Sequence, residues 1–214
     1  SQDDVLGENH AADHFKRITD FQAAEEIFTQ LGQAQKCAVQ LIEEKAVIYG
    51  VAAAVSAEKT YFIACAAQDH TASKRQAKNQ ADQGRKETEP SKFYAKNQAD
   101  LNRTLKDAGE MSDEASKAVT SEYLLRQLSQ VLTSGNAVAS FDVKHMLKFI
   151  DIPAQKNLFD IMIAAYLLNP LKNDYSYEDL AKDYLGQLLP SRGDLLEKLS
   201  YQAALEQKPD EFLK

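Results

Sequence analysis

Apolar residues recur at helical spacing across residues 21–31, FQAAEEIFTQL, where Phe21, Ala24, Ile27, Phe28 and Leu31 form one stripe. Thr19 or Asp20 is placed to cap the start of this helix and Gly32 to stop it. The periodicity then shortens. CAVQLI (37–42), AVIYGVAAAVS (46–56) and KTYFIAC (59–65) read as strands, separated only by the polar connectors EEK and AEK. A parallel crossover needs a dozen or more residues, so links this short predict an antiparallel meander of three strands.

From residue 70 to about 118 the pattern dissolves into Lys, Gln, Asn, Asp, Glu and Ala, with aromatics only at Phe93 and Tyr94. The hexapeptide AKNQAD occurs at 77–82 and again at 95–100, an offset of 18 residues. That offset is five ideal helical turns, but Pro90 between the copies interrupts any single rod. The segment reads as a polar insertion, helical in pieces and projecting from the domain, with drift in a tolerated surface loop as its simplest origin.

Periodic apolar residues return at 121–135, SEYLLRQLSQVLTSG, with Leu124, Leu125, Leu128 and Leu132 inward and Gly135 at the end. NAVAS (136–140) reads as a short buried strand. DVKHMLKFI (142–150) reads as a helix capped by Asp142 that packs Met146, Leu147 and Ile150. A brief strand within IPAQKNLF leads into FDIMIAAYLLNP, whose helix is apolar on every side until Pro170 ends it. Such a helix belongs between a sheet and further helices, with Ala164 and Ala165 permitting close approach. SYEDLAKDYLG (176–186) reads as a capped helix, with Ser176 at its start, Leu180, Tyr184 and Leu185 inward and Gly186 at its stop. The order β-β-β, insertion, α-β-α-β-α predicts an α/β domain: a mixed sheet with helices on both faces.

Composition narrows the possibilities. The 214 residues suit one well-buried domain, over 16–214, after a polar linker at 1–15 that has none of the character of a signal peptide. No apolar run reaches the roughly 20 residues of a membrane span. The net charge is −7. Residues 71–118 carry ten Lys or Arg against eight Asp or Glu, which leaves −9 on the remainder and makes it a surface that repels DNA. Cys37 and Cys65 are expected as buried free thiols in a reducing cytoplasm, and His10, His14, His70 and His145 lack metal-ligand spacing.

The run FDIMIAAYLLNP…YSYEDLAKDYLG closely resembles the FDTMLAAYLLDP…HSLDDLALRYLG segment in the 3′–5′ exonuclease (proofreading) domain of family A DNA polymerases, the bacterial DNA polymerase I group. FKRITDFQAAEEIF, KTYFIAC and FDVKHMLKFI extend the likeness, which spans about residues 15–69 and 120–214. The resemblance implies a ribonuclease H-like exonuclease fold, in a parent DNA polymerase acting in replication and repair. It also implies a polymerase domain of the same chain as partner. A monomer is expected, with little or no DNA binding by this part alone.

The same resemblance shows what is missing. Active members hold two divalent metals on four carboxylates. Hard cations need oxygen ligands, so apolar residues cannot take those places. The first motif, D-x-E, falls on Ala38 and Gln40, or on Gln40 and Ile42 in a register shifted by two. The second, aligned on Lys144, sets His145 at a tyrosine and Met146 at the metal-binding aspartate, and the third is expected beyond Lys214. Glu43 and Glu44 read as exposed turn residues, and Asp142 and Asp160 as helix starts. No catalytic, metal-binding or cofactor-binding residue is therefore assigned, and the expected role is a vestigial scaffold beside the polymerase domain. Two alternatives stay open. One is an active exonuclease with a relocated ligand set that uses Glu43 or Asp142. The other is a binding module acting through Lys74, Arg75, Lys78, Arg85 and Lys86 of the insertion.

Overall fold

The computed structural model describes residues 15–66, 118–152, 157–172 and 174–214. The insertion, with its AKNQAD repeat and its five candidate cations, and the linker at 1–14 lie outside the described residues. Six strands form one mixed sheet among the described residues: β1 (Lys16–Ile18), β2 (Lys36–Glu44), β3 (Val47–Ser56), β4 (Lys59–Ala64), β5 (Ala137–Ser140) and β6 (Leu158–Asp160), in the order β1-β4-β3-β2-β5-β6. The meander is present, since β2 and β4 each pair antiparallel with β3. β5 adds parallel to β2 and β6 parallel to β5. β1 adds parallel to β4 at the far edge. At three residues, β1 is too short to show a period.

Alternation along β2 sorts the two faces of the sheet. Cys37, Val39 and Leu41 are buried with Val51, Ala53, Ile63 and Val138 under helices α1 (Phe21–Gln33) and α2 (Ser121–Thr133). α1 starts as its pattern predicts, with the Asp20 carboxylate accepting from the Ala23 amide. Gly32 does not stop it, however. The helix runs through to Gln33 because Gly32 keeps helical geometry and Ala34 turns extended instead. Leu124, Leu128 and Leu132 of α2 are buried, as are Tyr123 and Val131, and Leu125 is half-buried.

On the opposite face, Tyr49, Phe62 and Ala64 pack beneath helices near the C-terminus. Tyr201 and Leu205 of one helix (Tyr201–Gln207) and Phe212 of the next (Pro209–Phe212) close over them. Gly50 sits where this packing is tightest. A Cβ there would lie 2.4 Å from the Ile63 carbonyl oxygen and 2.7 Å from the Phe62 ring, so no larger residue fits without movement.

Among the described residues, six further helices follow the meander and α2: α3 (Val143–Met146), α4 (Ile161–Leu168), α5 (Tyr177–Leu180), α6 (Arg192–Leu196), α7 (Tyr201–Gln207) and α8 (Pro209–Phe212). α4 departs most from expectation. Of its eight residues only Ala165 is buried; Leu167 and Leu168 are 73% and 71% exposed. The helix follows β6, the outermost strand on that side, and among the described residues no further strand lies beyond it to cover its outer surface. Tyr184 and Leu185 are exposed as well, because α5 widens into a π-helical turn over Ala181–Leu185. The wider turn rotates the later residues away from the side that buries Leu180 and Ala181. Gly186, at φ 66°, ends it as predicted.

Candidate functional site at the carboxyl ends of the strands

β2, β5 and β6 run parallel, so their carboxyl ends open on the same side of the sheet. The polar residues picked out in the sequence gather there. Lys36–Ala38 pairs with Ala137–Ala139, which brings Gln40 level with the end of β5. Ser140 Oγ donates to Gln40 Oε1 at 3.1 Å, and the Phe141 amide donates to the same oxygen at 3.0 Å. A carboxamide oxygen has two lone pairs, and both are taken. Ser140 Oγ also lies 3.8 Å from Met146 Sδ, and Met146 is fully buried. Gln40 and Met146 therefore meet across one buried serine, which the sequence reading did not single out.

Asp160 pairs with Ser140 in the sheet and serves two helices at once. Its Oδ1 accepts from the Met162 and Ile163 amides of α4 at 2.9 and 3.1 Å, and its Oδ2 accepts from the Val143 amide of α3 at 2.8 Å. The predicted helix-start role holds, with α3 as an additional client. Asp142 caps α3 from a left-handed backbone (φ 51°), with Oδ1 accepting from the His145 amide at 3.2 Å. α3 is a single turn, shorter than the sequence suggests, and Leu147 beyond it is half exposed where an inward position was expected. The Phe141 ring stacks on that of Tyr177, with centroids 4.2 Å apart, and draws α5 over the strand ends.

Glu43 and Glu44 are not exposed turn residues. Their side chains are only 13% and 17% accessible. Glu43 Oε1 meets His145 Nε2 at 2.5 Å and its Oε2 accepts from the Ala46 amide at 3.0 Å. Lys148 Nζ faces the other ring nitrogen of His145 at 3.2 Å, so an Nε2–H tautomer satisfies all three groups. Glu44 accepts from the Arg192 guanidinium through Oε1 and from the Tyr201 amide through Oε2 at 3.0 Å. Burial pushes the Glu44 carboxyl up, but the hydrogen bonds from Arg192 and Tyr201 and the charges of Arg192 and Lys45 outweigh it and hold it below the ordinary range.

Ala38 and Ile42 stay apart from this cluster. Ala38 lines a shallow apolar trough of about 330 Å³ with Ala54, Ala139 and Phe159, and Ile42 packs against the group beneath α7 and α8. Cys37 is buried, and burial raises its thiol pKa; Cys65 is only half-buried, less than expected. Among the described residues, no group of three or more His, Cys, Asp or Glu side chains is gathered where it could hold a metal ion. No helix among them is long and apolar enough to cross a membrane.

No protein-family model matches the chain, and no curated protein matches it.

Proposed function

We propose that this chain is a degenerate 3′–5′ exonuclease-like domain of the DNA polymerase I kind, with a ribonuclease H-like sheet, retained as a scaffold beside a polymerase domain. The observation that carries the reading is the state of Gln40. This residue stands where the resemblance calls for a metal-binding carboxylate, and its one acceptor oxygen is filled by Ser140 and Phe141. The second such position, Met146, offers a fully buried thioether, a soft donor unsuited to a hard divalent cation. Ala38, at the third, offers a methyl group. The residues present do not fit a two-metal centre, and no hydrolytic step is derived through one.

A relocated ligand set fares no better. Glu43 is committed to His145 and Ala46, and Asp142 to the start of α3. The meander followed by two parallel strands supports the fold the resemblance implies. The uncovered apolar residues of α4 and of the segment after α5 support a scaffold role. Exposed apolar surface of that character is what a contact with a neighbouring domain would cover.

The test is a nuclease assay with the purified chain on single-stranded DNA, in magnesium and separately in manganese. No nucleotide release above a buffer blank is expected, even at high protein concentration. Release that Asp142→Ala or Glu43→Ala abolishes would overturn the reading.

A further inference from the structure

The β2–β3 connection is a two-residue turn, Lys45–Ala46, with φ of 54° and 65°. Two left-handed residues in succession make the hairpin turn for which Asn-Gly is favoured, because other L-residues are strained there. Neither position here is Gly, Asn or Asp. Strain of this kind persists only where the surroundings over-determine the conformation. Here the surroundings are the two glutamates that end β2.

A register shift falls between Ile42 and Glu43, just before the turn. Beyond it, consecutive side chains leave the strand on opposite faces and so can serve different partners. Glu43 binds the Ala46 amide inside the turn with one oxygen and His145, beside the strand-end cluster, with the other. Glu44 reaches the opposite way, to Arg192 at the start of α6 and to the Tyr201 amide that opens α7. Arg192 is held in turn over the Tyr201 ring, 4.2 Å from its centroid.

We propose that this turn is a strained mechanical link that couples α3, and the strand-end cluster it closes, to the C-terminal helices α6 and α7. Each arm holds the turn in its left-handed form. Releasing either arm lets the turn relax toward an unstrained hairpin and loosens the other arm. The two-state element that carries the coupling is the pair Lys45–Ala46, and such coupling works equally in both directions.

The test is backbone amide hydrogen exchange on the full chain. In Arg192→Ala, exchange is expected to rise several-fold at the opening of α7 and also at residues 143–149, while α1 keeps its protection. His145→Ala is expected to give the mirror result, raising exchange at the Tyr201 amide. A relaxed turn, Lys45→Asn with Ala46→Gly, is expected to keep the local effect of each substitution and erase the distant one. Glu44→Gln repeats the experiment with a milder lesion should Arg192→Ala fail to fold. A rise confined to the C-terminal helices overturns the proposal. So does transmission of equal size through the relaxed turn.

Discussion

Ser140 donates its hydroxyl hydrogen to Gln40 at 3.1 Å, from a position 100 residues further along the chain. Ser140 is 1% exposed, so its hydroxyl has no water to turn to. Replacing Gln40 with Ala is expected to leave the Phe141 amide unsatisfied and this hydroxyl with only the weak Met146 thioether as acceptor, at a cost of about 1–3 kcal/mol. Gln40→Glu keeps an acceptor in place and is expected to cost less. Urea unfolding of the two variants checks the order; equal stability would show that the contact is incidental.

Tyr123 supplies the opposite case. Its ring packs against Phe21 and Phe28, with centroids 4.7 and 6.0 Å away, yet its buried hydroxyl has no hydrogen-bond partner among the described residues. Tyr123→Phe removes a desolvated oxygen and keeps the ring contacts. Stability is expected to be unchanged or to rise by up to about 1 kcal/mol, read from thermal unfolding. A clear loss would mean that the hydroxyl is satisfied in solution.

Glu44 predicts a pH dependence. Its carboxyl is held below the ordinary range in the folded chain, chiefly by Arg192 and Tyr201 working against burial. The stabilisation is therefore complete above the unfolded value of roughly 4.3 and is lost as the pH falls through the lower folded value. The stability gap between the native chain and Glu44→Gln is expected to close across that acid window and to stay constant from pH 6 to 8. A gap that persists unchanged in acid contradicts the assignment.

The exposed leucines of α4 and of the segments that follow it predict behaviour in solution. Leu167, Leu168, Leu171 and Leu188 are 73%, 71%, 90% and 84% exposed. Replacing the four with Gln is expected to reduce binding of a hydrophobic fluorescent dye and to raise solubility. Stability is expected to shift by no more than about 0.5 kcal/mol per site, as for other exposed positions. A large drop in melting temperature would mean that these leucines are packed after all.

Local periodicity revealed most of the architecture. The alternation in β2 and β3, the stripe on α1 and the caps at Asp20, Ser176 and Asp160 all follow from neighbours in sequence. The errors arise where the deciding partner is remote. The uniform greasiness of α4 signals burial, but the pattern is silent on whether anything covers the helix. The Glu43–Glu44 pair looks like an ordinary polar turn, because His145, Arg192 and Tyr201 are more than 100 residues away. Ser140 carries no local mark at all. The doublet of glutamates ahead of a turn without glycine was the one available hint of a clamp.

Met146 belongs to the main hydrophobic core, alongside Leu41, Val138 and Ile150. A carboxylate introduced there would have to ionise amid hydrocarbon before any cation arrived to compensate it. An acid at this position would therefore weaken the fold unless its neighbours changed with it. Oil in that corner makes the spot refractory to stepwise change: any one polar substitution is a burden before a second can relieve it.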